Sequence, residues 1–168
     1  MKLITLIFTI IFFFGINTSI ANNLAYIDLN LIINNSIAGK NVIKKINEVN
    51  DKNLEILKKD QLELNKQKNE IEKTRNILSD IEFNQNLSDL NDKIEKFKKK
   101  QETMSIEFKD LRQSEINGLI TRINPIIEKF MIENKIDLIL KKENVYISIS
   151  KFDITDDLID LINQTISK

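Results

Sequence analysis

The chain has 168 residues, and its 25 Lys or Arg residues balance 25 Asp or Glu residues, so the formal net charge is zero. This is the size of one ordinary domain, and it lacks the basic excess that is typical of nucleic-acid binding. Without Cys or His the chain cannot form disulfides, thiolate zinc sites or a His-based catalytic centre, and its three Gly and one Pro favour long helices over a turn-rich sheet.

The first segment is an apolar run with the features of an export signal. Lys2 precedes residues 3–16, in which 11 of 14 positions are Leu, Ile or Phe, and the small residues Ser19 and Ala21 follow. A membrane-spanning helix needs about 20 apolar residues, so this run is short for a permanent anchor. We therefore predict a signal peptide over residues 1–21 that is cleaved after Ala21. The alternative is an uncleaved run that anchors the chain in a membrane.

Short β-type segments lie at both ends of the remaining chain. Residues 25–33 (AYIDLNLII) alternate with a period of two and predict a strand. Residues 136–140 and 145–150 are β-branched runs separated by four polar residues, and they predict a hairpin. Residues 153–163 predict a terminal helix with a polar cap and acidic residues in its first turn. The acidic residues there, which we expect to cap the helix rather than bind a metal, are Asp153, Asp156, Asp157 and Asp160.

The middle of the chain, residues 42–134, predicts a long helical hairpin because charged residues recur at almost every turn and breakers are rare. Ser79 and Glu82 fit a capping box, which places the reversal of direction near residues 78–80. Pro125 has no amide hydrogen, and its ring crowds the preceding turn, so we expect a kink or break there. Whether that kink acts as a hinge is left open.

The two helices of this hairpin carry heptad seams of different quality. The second helix alternates spacings of three and four with one polar interruption, through Leu87, Leu90, Ile94, Phe97, Gln101, Met104, Phe108 and Leu111. The first helix has a seam that is barely half apolar, through Asn50, Leu54, Leu57, Gln61, Leu64, Lys68, Ile71, Arg75 and Leu78. We therefore expect the first helix to be the looser one.

The predicted fold class is α+β, mostly α, with a long antiparallel helical hairpin that projects from a small β body. Residues 22–168 would form a single domain, in which residues 22–41 and 135–168 build the body. So few residues rarely support an isolated core, so we expect oligomerisation to complete it through strand edges. The residues that we expect at this interface are Tyr26, Ile27, Leu29, Val145, Ile147 and Ile149.

Essentially the whole mature chain resembles the Skp, or OmpH-like, family of periplasmic chaperones. The resemblance lies in AYIDLNLIINNSIAGK (residues 25–40), in the charged hairpin, and in ENKIDLILKKENVYISISKFDITDDLIDLIN (residues 133–163). It implies a homotrimer whose helical tentacles enclose a cavity, in which unfolded outer-membrane proteins are held in the periplasm without ATP. The near-neutral charge of this chain departs from the basic character of typical members, which puts electrostatic steering of clients in doubt.

Two sets of arm residues are candidates for contacts with clients or lipid. If the seam of the second helix opens, the client-facing residues would be Leu90, Ile94, Phe97, Met104 and Phe108. A lysine-rich segment is either a solvated helix face or a contact for anionic lipid or lipopolysaccharide, and it comprises Lys93, Lys96, Lys98, Lys99 and Lys100.

No enzyme is predicted, since the sequence has no Gly-rich loop, G-x-S-x-G elbow or S-x-x-K motif. We likewise expect no catalytic residue, no cofactor, no metal and no nucleic-acid partner. The main alternative function is a coiled-coil scaffold of the inner membrane that is held there by an uncleaved leader. A cytosolic tentacled chaperone that resembles prefoldin is a further alternative, against which the leader argues.

Overall fold

The computed structural model describes residues 23–166, so the predicted signal peptide over residues 1–21 lies outside the described residues. Its elements, in chain order, are β1 (Leu24–Ile27), α1 (Leu29–Asn35), α2 (Ile37–Thr74), α3 (Asp80–Asn134), β2 (Leu138–Lys141), two short 3-10 turns (Lys142–Asn144 and Ser150–Phe152) and α4 (Thr155–Ile166). Of the helices between residues 23 and 166, none has both the length and the apolar character needed to cross a membrane.

The first strand is shorter than predicted, because a helix cap interrupts it. The carboxylate of Asp28 accepts a hydrogen bond from the backbone N–H of Leu31 at 2.9 Å and so begins α1. Ile32 and Ile33 are consecutive and both buried, which suits a helix packed on a core, whereas neighbouring strand residues point to opposite faces. The prediction of a strand over residues 25–33 is therefore wrong beyond Ile27.

The second strand pairs with the first in parallel, with Leu24 opposite Leu138 and Ile27 opposite Lys141. The predicted hairpin between residues 136–140 and 145–150 is therefore wrong. Parallel neighbours require a long crossover connection, and the helical hairpin supplies it here. After β2 the chain turns through a 3-10 segment, and residues 145–149 form no strand pair within the described part of the chain.

A tight corner joins α1 to α2. Ser36 is fully buried, and its hydroxyl oxygen accepts a hydrogen bond from the backbone N–H of Gly39 at 3.1 Å, which caps α2. Gly39 lies directly against the backbone of Ile33, so a side chain at this position would have no space. The corner turns the chain from the body into the arm.

The arm is the antiparallel pair of α2 and α3, which are about 57 Å and 82 Å long at a rise of 1.5 Å per residue. The expected capping box is present, because Ser79 accepts from the N–H of Glu82 and the Glu82 carboxylate accepts from the N–H of Ser79. α3 runs through Pro125 without interruption, so of the predicted kink or break the break does not occur, and the kink stays a prediction.

We call the part of the molecule that contains β1, α1, the root of α2, the C-terminal part of α3, β2 and α4 the head, and the rest of the helical hairpin the distal arm. The core of the head joins both ends of the chain. α4 buries an apolar stripe, and this stripe meets α1, the root of α2 and the C-terminal part of α3. The most deeply buried apolar residues of this core are Ile32, Leu119, Ile123, Leu158 and Ile162. The predicted fold class, mostly helical with a helical hairpin on a small β-containing body, is thereby confirmed, while oligomerisation stays a prediction.

Candidate functional site

On the α2 side of the arm seam, every second seam position lies one residue earlier in the sequence than predicted. Leu57, Leu64 and Ile71 face α3 as predicted, but the predicted seam residue Leu54 is 57% exposed. The residues that occupy the alternate row are Asn53, Asp60, Gln67 and Thr74, instead of Leu54, Gln61, Lys68 and Arg75. This row continues at seven-residue intervals from Ile46, which the head core buries, so the head sets the rotation of α2. The observed seam is even more polar than predicted.

The α3 side of the seam matches its prediction. Leu90 and Phe97 are buried, Ile94, Met104 and Phe108 are half-buried, and the polar interruption at Gln101 is exposed. Phe108 also packs against the head core. Of the five residues proposed to face clients, two are therefore buried and three are partly covered in this closed arm.

Polar contacts cross the arm at matching steps along both helices. Lys45 pairs with Glu115 at the root. Further out, Lys100 Nζ lies 2.6 Å from the carboxylate of Asp60, and Lys93 Nζ donates to Gln67 at 2.9 Å. These contacts are consistent with one register of α2 against α3, and the outer two involve Asp60 and Gln67 of the alternate row Asn53, Asp60, Gln67 and Thr74, which we call the polar row.

The lysine-rich segment is divided by these contacts. Lys93 and Lys100 turn towards α2, and Lys98 forms an ion pair with Glu95 on its own helix at 2.7 Å. The hydrogen bond and charge of Lys98 hold the pKa of Glu95 below its usual range. Lys96 and Lys99 are exposed and form no ion pair with other described residues. These two lysines therefore remain the best placed to meet an anion.

The residues predicted at the oligomer interface fall into two groups. Ile27 is part of the head core, and Tyr26, Leu29 and Val145 are half-buried in the single chain. Ile147 and Ile149, by contrast, are 84% and 59% exposed. Only this second group is a free apolar surface, so Ile27 contributes first to the fold of its own chain.

Further exposed apolar residues lie in β1, in β2 and in residues 146–152, and the sequence prediction did not include them. Their common feature is a large apolar side chain left uncovered in the head, and they are Leu24, Leu138, Leu140, Tyr146 and Phe152. The interface prediction for residues 145–150 assumed a hairpin that does not form. The uncovered head surface, as we call Ile147, Ile149 and these five residues, is larger than predicted.

No group of three or more Asp or Glu side chains suited to a metal ion occurs within residues 23–166. In the predicted acidic cluster, the carboxylate of Asp153 accepts hydrogen bonds from the backbone N–H and the hydroxyl of Thr155 at the start of α4. The hydroxyl of Thr155 in turn accepts from the N–H of Asp28 at 2.9 Å. Asp153 therefore ties the start of α4 to the start of α1.

The fold defines a class of protein in which a helical hairpin arm projects from a small head built from both chain ends. Residues 23–162 match the sequence model of the family described as outer membrane protein (OmpH-like), and the chain belongs to this OmpH-like family. No curated protein matches the sequence. Solved structures do match, among them a provisionally named outer membrane chaperone (OmpH-like) from Caulobacter crescentus CB15, with a TM-score of 0.78, 15% identity and 89% of each chain covered. At that identity the likeness concerns the fold.

Proposed function

We propose that this protein is an ATP-independent holdase chaperone of the periplasm that binds unfolded outer-membrane proteins. The observation that carries the proposal is the arm, in which α2 and α3 pair over the length of α2, about 57 Å, through a seam whose α2 side is about half polar. A chaperone without a nucleotide needs reach and reversible contacts, and such an arm offers both. The family to which the chain belongs and the chaperone name of its structural relative support the same reading.

The chaperone acts as a homotrimer in this proposal, with the arms enclosing a cavity for the client. The uncovered head surface supports this, because seven large apolar side chains of the head are exposed, and exposed apolar surface often marks an interface. Val145 and Ile149 have extended backbone angles, and the bend between them leaves Tyr146 and Ile147 exposed, where another copy can cover them. The interface would then consist of Ile147, Ile149 and their exposed neighbours.

Export through a cleaved leader completes the proposal, and the mass of the protein purified from cells tests it. Loss of residues 1–21 supports a periplasmic chaperone. A full-length mass with the protein in the membrane fraction supports the inner-membrane scaffold instead.

Holding is tested by diluting a urea-unfolded outer-membrane β-barrel protein into buffer without ATP and following its aggregation by light scattering. We expect an equimolar amount of trimer to suppress the aggregation and to release the client to detergent micelles in a folded form. A folded globular protein serves as the control, and it should not bind. Aggregation that proceeds at the same rate with and without the chaperone would refute the proposed function.

A further inference from the structure

The two sides of the arm seam contribute unequally to its stability. α3 supplies two apolar residues per heptad over most of its length, whereas α2 supplies one, through Leu57, Leu64 and Ile71. Burial of apolar surface is the main force that pairs two helices, so every second layer contributes little. α3 therefore presents a largely apolar surface, and the helix that covers it, α2, has fewer apolar side chains on the contacting side.

The polar row does not make up the difference. The side chains of Asp60 and Lys100 in its ion pair are 33% and 44% exposed. Ion pairs with that much solvent around them add little stability. Gln67 contributes one hydrogen bond with Lys93, whose amine is equally well solvated when the arm opens.

Burial in the head core holds α2 at its root alone, while at the tip the short turn of residues 75–79 joins it to α3. The buried residues of α2 all lie near its root, at Ala38, Gly39, Val42 and Ile46. Beyond Ile46 no α2 side chain is fully buried, and a shallow groove already reaches Leu64 and Phe97 between the helices. Opening would therefore begin in the distal arm and leave the head intact.

We propose that the α3 seam is a latent binding surface for segments of an unfolded polypeptide and that α2 is its built-in competitor. The inference rests on the proposed holdase function and names the surface that would act in it. The chemistry of the occupant follows from α2 itself, because the seam accepts a segment with sparse apolar side chains separated by polar ones. Precursors of outer-membrane barrels alternate apolar and polar residues and so fit this description.

Release without ATP follows from the same arrangement. α2 stays tethered beside the seam, so its effective concentration is high and independent of the client. A client segment gains the surface only during an opening, and α2 recovers it when the client finds a better place to fold. The polar row weakens the binding of α2 to the seam, so that a client can compete with it. A fully apolar α2 would bind the seam too tightly to be displaced.

A matched pair of double variants tests the inference. Asp60→Leu with Gln67→Leu places two leucines in the seam, whereas Gln61→Leu with Lys68→Leu places them one residue further along, on exposed positions. Both variants add the same apolar side chains to the same helix. Hydrogen exchange of the amides of residues 53–74 reports the opening, and titration with an unfolded barrel protein reports client affinity.

We expect the seam variant to slow this exchange by roughly ten- to a hundredfold, from the burial of two leucines. The apparent dissociation constant of the client should rise by a similar factor, because only the open arm is competent to bind. The exposed variant should change neither quantity more than about twofold. Slower exchange with unchanged client affinity would overturn the inference, and so would unchanged exchange in the seam variant. A wild-type chain that fails to hold clients would refute the proposed function itself.

Discussion

The corner between α1 and α2 gives the sharpest prediction, because two glycines of this chain should respond to the same substitution with opposite signs. A Cβ atom at position 39 would lie 1.9 Å from the carbonyl oxygen of Ile33 and 2.7 Å from its carbonyl carbon. Ordinary contacts begin near 3.4 Å, so α1 and α2 would have to separate by about 1.5 Å at a backbone contact. Ile32 and Ile33 belong to the head core, and their displacement would loosen it.

Overpacking of this kind costs about 1–3 kcal/mol and occasionally more, and we expect Gly39→Ala to destabilise the protein by about 2–4 kcal/mol. Gly118→Ala is the matched control, because nothing lies within 4 Å of its added Cβ and the residue is exposed in α3. That change should stabilise the protein by about 0.5–1 kcal/mol through helix propensity. Urea unfolding followed by circular dichroism, at one protein concentration, measures both. Equal stability of Gly39→Ala and wild type would refute the packing argument.

Three further predictions concern the arm and the head surface. The Glu82 carboxylate accepts hydrogen bonds from the hydroxyl of Ser79, which has the larger effect, and from its backbone N–H, and both hold the pKa of Glu82 below its usual range. The cap therefore stabilises α3 fully above the ordinary Glu pKa, and this stabilisation is lost as the pH falls through the lowered pKa. An NMR titration that returns an ordinary pKa for Glu82 would contradict this. Replacing Lys96 and Lys99 by Gln should weaken binding to anionic vesicles roughly fivefold per lysine, at about 1 kcal/mol each. The control for charge alone is Lys66→Gln with Lys68→Gln, because these two lysines form ion pairs with Glu70 and Glu72 along α2. Ile147→Asp should dissociate the oligomer while the head stays folded. Ile77→Asp at the arm tip is the matched control, because Ile77 is 80% exposed and Ile147 is 84% exposed, and it should leave the oligomer assembled. Equal oligomeric mass of the two variants would argue against the head interface.

Local signals in the sequence predicted the two arm helices and the terminal helix, although not α1. The capping box at Ser79 depends only on residues within one turn, and the α3 seam is set by its own apolar spacing. The helix of residues 153–163 is likewise present, as α4, because its caps and apolar stripe are close in sequence. Such features need no knowledge of the rest of the fold.

Contacts between distant segments explain what the sequence analysis missed. Asp28 reads as one polar position in an alternating strand, and its role as a cap appears only when the chain turns into α1. The parallel partner of β2 is β1, which lies before the whole arm, whereas sequence reasoning paired residues 136–140 with the nearest β-type run, residues 145–150. Leu54 suggested the wrong rotation of α2, because the burial of Ile46 in the head decides which side of the helix faces α3.

Light scattering coupled to size-exclusion chromatography, on the protein purified from cells, tests most directly whether several copies complete the head. We expect a single species with three times the mass of one chain, which persists on dilution because the uncovered head surface is buried between copies. A stable species with the mass of one chain, which still holds unfolded barrel proteins, would contradict this expectation.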